Sequence, residues 1–293
     1  MTWFVLGILS ALFLGCYDVS KKISLREGSV VSVLAASVCV SSLLLLPMLV
    51  LSRLMPDMMQ DTLFYVPQVD LTTHLFILLK SVIVLSSWIF AYMAMKHLPI
   101  TIVTPINATR PMWTLLGALL IFGEQLNGWQ WCGVVACLLS FYAFSVVGKK
   151  EGVSFRDNRW IWALMLATLL GASSGLYDKY LMRQFDHNAV QVYYTFYQAL
   201  MMIIVWLIMD RNFRWQWSIV FISLFLVASD FVYLLALQQP DSLISVLSAV
   251  RRSGVIVPFI YGAVVLKDKN PLLKTLCLAG VLLGIIFLFI GSR

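Results

Sequence analysis

Four basic residues lie inside apolar stretches of this sequence, where a charge is costly. They are Lys80, Arg110, Arg251 and Arg252. Near the centre of an apolar membrane helix, an ionised lysine or arginine costs about 2.5–3.5 kcal/mol even on the gentlest insertion scale. Four of them without partners would cost on the order of 10 kcal/mol, which is comparable to the stability of a whole domain. We therefore expect these side chains to be paired with acids, hydrated in a cavity, or both.

The arginines have the right chemistry to bind an anionic group. A guanidinium group presents a planar fork of donors that matches a carboxylate or a phosphate, and it stays ionised at any cellular pH. Arg110, Arg251 and Arg252 would form a clamp for such a group if the fold brings them together, with Lys80 as a further contact. In the alternative interpretation these cations form buried ion pairs that only fix helix packing, or Lys80 extends to the end of its helix.

Acidic residues in the same stretches offer partners for the cations. Three aspartates lie deep in them, namely Asp18, Asp178 and Asp230, and Glu124 lies near a helix end, where we expect it to reach water. A membrane carboxylate that takes up a proton on one side and releases it on the other is a coupling group. Asp18 and Asp178 are the candidates, with protons as the coupling ion. If each is instead permanently paired with an arginine, it does not titrate.

The stretches that carry these residues have the composition of membrane helices. The chain has 293 residues, of which 61% are hydrophobic and 12% charged, far from the average of soluble proteins. A run of about 20 apolar residues crosses a hydrocarbon core of about 30 Å, and none of the runs has the period of two that a β-barrel requires. The sequence predicts an all-α membrane protein with ten transmembrane helices at 3–25, 30–52, 72–95, 100–122, 128–147, 160–182, 189–209, 216–238, 242–266 and 272–291.

Two residue patterns recur along the chain and indicate a duplication. Three residues return 141 positions later with their spacing intact: Tyr92, Pro99 and Arg110 match Tyr233, Pro240 and Arg251. A Gly-x-Tyr-Asp pattern returns 160 positions later: it ends at Tyr17-Asp18 and at Tyr177-Asp178. The repetition makes Tyr17, Tyr92 and Tyr177 candidates for the same cavity as the charged residues.

The duplication divides the chain into two five-helix units. We predict a first unit at 1–148, a linker at 149–159 and a second unit at 160–293. Five is an odd number, so the second unit must enter the membrane from the opposite side, and the two repeats are inverted. Inverted repeats that exchange conformations open a shared cavity alternately to the two sides of a membrane.

The span count and several short motifs carry a family resemblance. The fourth span contains Pro99-x-x-x-x-Thr104-Pro105 and ends in Phe122-Gly123-Glu124, and the fifth and tenth spans are rich in glycine. In these features the chain resembles the EamA type of the drug/metabolite transporter superfamily, although Lys267-Asp268-Lys269 replaces the expected Gly-Glu ending in the second unit. The resemblance implies a secondary carrier whose cavity is lined mainly by the first four helices of each unit. It also implies that the fifth and tenth helices are peripheral.

We therefore expect a secondary active transporter that moves a small polar organic metabolite by alternating access. An anionic or zwitterionic solute fits the arginines, such as an amino acid, an organic acid or a phosphorylated compound. The alternatives are a transporter of cationic compounds that uses the intramembrane aspartates, and a membrane scaffold or receptor without transport. The expected substrate-binding residues are Arg110, Arg251, Arg252, Tyr17, Tyr177, Tyr92 and Lys80.

The sequence argues against several other functions. It has no His-x-x-x-His, no paired carboxylate motif and no nucleophile with a nearby base, so we expect no enzymatic activity. The nucleotide-binding pattern Gly-x-x-x-x-Gly-Lys-Ser/Thr is also missing. We expect no metal, no cofactor and no nucleic-acid partner, only a small-molecule solute and the lipid bilayer, and the oligomeric state stays open.

The distribution of basic residues predicts the orientation of the helices. If the first helix begins outside, thirteen lysines and arginines fall on cytoplasmic loops and four on the opposite side. Cytoplasmic loops usually carry the excess of basic residues. We therefore expect a multi-pass protein of the cell (inner) membrane with both termini outside.

Overall fold

The computed structural model describes residues 2–25, 28–97, 106, 109–147, 158–209, 214–257, 260–261 and 271–291. Within these ranges, the side chains of residues 22, 92, 95–96, 141, 144–147, 255, 271–278 and 281 lie outside the description. The predicted linker at 149–159 and the residues Pro99 and Pro105 also lie largely or wholly outside the described residues. All the regular secondary structure of the described residues is helical.

Apart from two short turns, Pro56–Met59 and Ser253–Val255, the described residues form ten helices. They are α1 (Thr2–Ser24), α2 (Val30–Leu54), α3 (Leu71–His97), α4 (Arg110–Phe122), α5 (Gly128–Val147), α6 (Arg159–Met182), α7 (His187–Met209), α8 (Trp217–Gln238), α9 (Ile244–Arg252) and α10 (Pro271–Gly291).

Six of these helices are long and apolar enough to cross a membrane, namely α1, α2, α3, α6, α7 and α8. Shorter apolar helices lie at Arg110–Phe122, Gly128–Ser140 and Leu282–Gly291. Of the predicted fourth and ninth spans, the structure describes α4 from Arg110, and α9 to Arg252 followed by the turn Ser253–Val255; most of the remaining residues of these spans lie outside the described residues. Pro111 lies in the first turn of α4, where proline costs no helical hydrogen bond. The prediction of an all-helical membrane protein is confirmed.

Helices from the two halves of the chain pack in matched pairs. The most extensive contacts join α1 to α8, α5 to α10, α3 to α6 and α2 to α7. In addition, α4 contacts α6 and α9, and α9 contacts α1. Each of these pairs has a counterpart in which both helices are replaced by the helices five places away in the chain. The pair α1–α8, for example, corresponds to α6–α3, so the whole set is unchanged by this replacement.

Glycines allow the closest approach between α5 and α10. A Cβ atom added at Gly133 would lie 2.8 Å from the carbonyl oxygen of Gly284, and one added at Gly284 would lie 3.0 Å from the carbonyl oxygen of Gly133. Small residues let the backbones of membrane helices come this near to each other. The contact joins α5 and α10 to each other, which leaves α1, α3, α4, α6, α8 and α9 around the interior of the bundle.

Candidate functional site

The charged residues of the interior surround one cavity of about 300 Å³. Side chains of α1, α3, α4, α6, α8 and α9 line it, together with one residue of α7, Tyr194. The lining contains five basic and three acidic residues, which are Lys21, Lys80, Arg110, Arg251, Arg252, Asp18, Asp178 and Asp230. With all of them ionised, the lining has a formal excess of two positive charges.

Lys80 and Asp178 form an ion pair between α3 and α6. The Nζ atom of Lys80 lies 2.7 Å from Oδ1 of Asp178, and both residues are buried. The same ammonium group lies 4.3 Å from the ring centroid of Tyr194, within the range of a cation–π contact. Lys80 is 3% exposed, so the interpretation that it extends to its helix end is wrong. This pair contributes no net charge to the cavity.

Arg251 and Asp230 form a second ion pair, between α9 and α8. The guanidinium carbon of Arg251 lies 4.0 Å from the ring centroid of Tyr233, and Nη2 donates to the hydroxyl of Ser229 over 3.4 Å. Ser229 is fixed in turn, because it exchanges hydrogen bonds of 2.9 and 3.0 Å with Ser10 of α1. Arg251 is therefore held on one wall of the cavity by α8.

Arg110 and Arg252 differ from these two cations. Among the described residues, neither side chain has an ion pair or a hydrogen bond with another residue. The guanidinium group of Arg110 lies directly against the backbone of α6, because a Cβ atom added at Gly171 would overlap with it. Arg252 interacts electrostatically with Asp18, which also interacts with Lys21 on its own helix.

The charged side chains of this cavity are suited to binding a charged ligand. Two guanidinium groups face it without a described partner, and two of its three carboxylates are already engaged by Lys80 and Arg251. Among the residues that the structure describes, no group of three or more His, Cys, Asp or Glu side chains could hold a metal ion. The arrangement can bind an anionic group through one or two charge-assisted hydrogen-bonding forks.

Comparison with known proteins identifies the family of this chain. Residues 1–146, about half of the sequence, match the model of the EamA-like transporter family. The chain belongs to the EamA-like transporter family. It is therefore a multi-pass membrane transporter of the drug/metabolite transporter type, and its partners are a small-molecule solute and the lipid bilayer.

Solved structures show the same fold as this EamA-type transporter. One crystal structure of a protein covers 99% of this chain and 97% of its own, with a TM-score of 0.78 at 10% sequence identity, and 28 solved chains match significantly. At this identity the likeness concerns the fold alone. None of the curated protein sequences matches the chain significantly.

The predicted tyrosines of the transporter have different positions. Tyr17 lines the cavity, and the ammonium group of Lys21 lies 5.5 Å from its ring centroid. Tyr177 is not among the described lining residues: its hydroxyl donates to the carbonyl oxygen of Phe76 over 3.2 Å, and its ring stacks on Tyr180. The side chain of Tyr92 lies outside the description.

Tyr194 is a cavity residue that the sequence reasoning missed. It lies on α7, which the repeated patterns do not mark, and its ring contacts Lys80. A signal was present, because Gln191, Thr195 and Gln198 form a polar row at helical spacing within an otherwise apolar span. A polar row inside a membrane helix indicates a face that does not contact lipid.

The helix that carries Arg251 and Arg252 is fixed at its first turn by Glu124. Gly123 ends α4 with a φ of 60°, a left-handed conformation that favours glycine, and this turn directs Glu124 towards α9. The Glu124 carboxylate accepts hydrogen bonds from the backbone N–H of Ile244 (2.7 Å), and from the backbone N–H (3.2 Å) and hydroxyl (2.5 Å) of Ser245. The expectation that Glu124 reaches water is wrong, since it is 9% exposed.

A buried lysine fixes the segment that leads into α9. The Nζ atom of Lys179 on α6 donates to the carbonyl oxygen and to the hydroxyl of Ser242, each over 2.5 Å. Lys179 is buried and interacts electrostatically with Glu124. Residues of α4 and α6 thus hold the start of α9, and thereby the position of Arg251 and Arg252.

Proposed function

We propose that this transporter is a secondary active carrier of a small organic solute with an anionic group, and that Arg110 and Arg252 bind that group. The observation that carries the proposal is the presence of two cavity arginines without a described hydrogen-bond or ion-pair partner. A cation removed from water needs a counter-charge. A solute with one negative charge would supply it in part, and a solute with two would cancel the formal excess of the lining.

The ion pairs reduce the number of arginines that are available to bind a solute, compared with the three that the sequence predicted. Arg251 is engaged by Asp230, so Arg110 and Arg252 are the arginines available to a solute. The ammonium group of a zwitterion would face Asp18, because Asp178 and Asp230 are already paired. A cavity of about 300 Å³ is at the lower end of the usual size of small-molecule sites. Amino acids, organic acids and small phosphorylated compounds are the classes that fit.

Alternating access by two inverted five-helix units is the mechanism that we propose. Two observations support it: the principal helix pairs named above are unchanged by exchange of positions five apart, and the family model matches 1–146, close to the predicted first unit at 1–148. Rocking of the second unit, 160–293, against the first would expose the cavity to each side in turn. The charge bias supports a cell-membrane protein with both termini outside.

Uptake into liposomes tests the proposed function. The purified protein would be reconstituted and supplied with radiolabelled solutes grouped by charge: dicarboxylates, phosphorylated sugars, amino acids and organic cations. We expect saturable uptake within the anionic or zwitterionic groups and none of the organic cations. Uptake of cations alone would overturn the assignment of Arg110 and Arg252, and would favour a site built on the aspartates.

A substitution of Gly171 tests the position of Arg110. In Gly171→Ala the added methyl group takes the space of the Arg110 guanidinium, which must move from the α6 backbone. Because Arg110 is flexible, we expect little change in Tm but about a tenfold rise in the solute concentration for half-maximal uptake. The control variant is Gly128→Ala, at the start of α5 and outside the cavity lining, where an added Cβ atom meets nothing within 4 Å. Equal changes in both variants would contradict the role of Arg110.

A further inference from the structure

A second, much smaller cavity lies between α2, α7 and α8. Its volume is about 10 Å³, which is room for a single occupant of the size of a water molecule. Its polar lining residues are Ser41, Gln191, Tyr194, Thr195, Gln198 and Asp230. Tyr194, Leu226 and Asp230 also line the main cavity, so the Asp230 carboxylate lies at the boundary between the two.

The hydrogen bonds around the small cavity leave oxygen lone pairs facing it. Ser41 donates its hydroxyl proton to the carbonyl oxygen of Ser37, and Thr195 donates its own to the carbonyl oxygen of Gln191, each over 2.8 Å. The Gln191 amide nitrogen donates to the carbonyl oxygen of Val227 over 2.8 Å, which fixes the orientation of this side chain. Its Oε1 atom is left without a partner among the described residues, although Gln191 is only 1% exposed.

These atoms form an acceptor cluster of the kind that binds a small cation. The hydroxyl oxygens of Ser41 and Thr195, Oε1 of Gln191 and the carboxylate of Asp230 make four oxygen acceptors with one formal negative charge. The Asp230 carboxylate already accepts from Arg251, and a water molecule has only two protons to donate, so it would leave at least one of the other three oxygens without a donor. Gln198 also has an unpartnered amide nitrogen here, and rotation of the amide would present its oxygen instead. Oxygen ligands that include a carboxylate suit hard cations.

We propose that the small cavity binds one sodium ion. Bound there, the ion would share the Asp230 carboxylate with Arg251, which holds that carboxylate from the main cavity. The ion weakens the pairing and makes Arg251 available to the anionic group of a solute. By linkage, a solute that engages Arg251 strengthens binding of the ion by the same factor. This coupling rests on the transport function proposed above, whereas the binding of the ion does not.

Thermal unfolding without any solute tests the site. The purified protein would be heated in NaCl, KCl and choline chloride at equal ionic strength. At concentrations well above the dissociation constant, we expect NaCl to raise Tm by about 5 °C relative to choline chloride. KCl should raise it much less, because potassium is larger than the cavity allows. Equal Tm values in NaCl and choline chloride would overturn the site, whether or not an anionic solute is transported.

Two neighbouring serines provide the matched control. Ser41→Ala removes a cavity oxygen and is expected to reduce the sodium-dependent shift. Ser42 is also buried and donates to a carbonyl oxygen of its own helix, that of Cys39, over 2.8 Å, but it does not line the cavity. Ser42→Ala should therefore keep the full shift. A shift that is the same in both variants would contradict the proposed ligands.

Substitutions of Asp230 and Arg251 distinguish a role of Asp230 as a sodium ligand from a purely structural role of the ion pair. Asp230→Asn removes the charged ligand and should abolish the sodium-dependent shift. Arg251→Gln removes the competitor for the same carboxylate, and should lower the sodium concentration for half of the shift by about tenfold. If the ion pair only stabilised the fold, the two variants would change the sodium response alike, and this result would overturn the proposal. A failed uptake screen, in contrast, would leave the sodium response in place.

Discussion

Arg110→Gln is expected to lower the affinity for the transported anion by about 30-fold or more, without loss of stability. The glutamine keeps most of the volume but removes the positive charge, and loss of one partner of a desolvated charge pair costs about 2–5 kcal/mol, where about 1.4 kcal/mol is a factor of ten. The measurement is the initial rate of uptake into liposomes against concentration, with the solute found by the charge-grouped screen.

Stability distinguishes this role from a structural one. Arg110 has no described acid partner, and it interacts unfavourably with Arg251 and Arg252. Its replacement leaves no buried acid unpaired, so we expect Tm to stay the same or rise. For Arg251→Gln we expect a lower Tm. This substitution leaves Asp230 without its ion-pair partner, and removal of one partner of a buried pair is strongly destabilising.

The control for the loss of an arginine is Arg183→Gln. Arg183 follows α6, is exposed, and packs over the ring of Phe122 at 4.8 Å from its centroid, outside the cavity lining. We expect wild-type uptake from this variant. Arg110→Gln with wild-type affinity would contradict the binding site, and Arg110→Gln with a large drop in Tm would show that Arg110 serves the fold.

The helices and the deep charges of this protein can be predicted from the sequence because both follow from the cost of crossing a membrane. Apolar runs of sufficient length must be helices, and charges within them must face the interior. Which charges pair is a property of helix packing. Lys80 and Asp178 are 98 positions apart and meet only because α3 packs against α6. No local pattern contains that information.

The repeated sequence patterns also indicate that Arg110 and Arg251 are not equivalent. Subtracting 141 from the position of Asp230 gives Ile89, so the pattern around Arg110 has no acid at the position that corresponds to Asp230, the partner of Arg251. In the same way Gly171 matches Ala11 at an offset of 160, and only the glycine accepts a guanidinium group against the helix backbone. The duplicated arginines were recognisable from the sequence, but their different environments follow from these two unmatched positions.

The role of Glu124 could not be predicted from the sequence, for a different reason. The Phe122-Gly123-Glu124 motif predicts a helix end at the glycine, and α4 ends there. The donors that Glu124 satisfies belong to Ile244 and Ser245, 120 positions later. A helix end near the membrane surface usually finds its partners in water, whereas this one finds them at the start of α9 because α4 packs against α9.

Glu124→Ala is therefore expected to lower the free energy of unfolding by about 3 kcal/mol. The substitution removes an N-terminal cap from α9, which costs about 0.5–2 kcal/mol, and leaves buried donors unsatisfied, which costs about 1–3 kcal/mol each. It also deprives the buried Lys179 of the acid that it interacts with. The loss corresponds to a fall of about 6–12 °C in Tm for a protein of this size, measured by thermal unfolding in detergent.

Two further variants identify the cause of the loss. Glu124→Gln keeps one oxygen for the N–H of Ile244 but turns an amide towards the donors of Ser245, so its Tm should fall between those of the wild type and Glu124→Ala. Gln125→Ala changes the exposed neighbour and should leave Tm unchanged. Equal Tm values for Glu124→Ala and Gln125→Ala would show that helix packing and Lys179 suffice to hold α9. Arg251 and Arg252 follow about two turns after Ile244, so in the expected case Glu124→Ala impairs uptake together with stability, whereas Arg110→Gln impairs uptake alone.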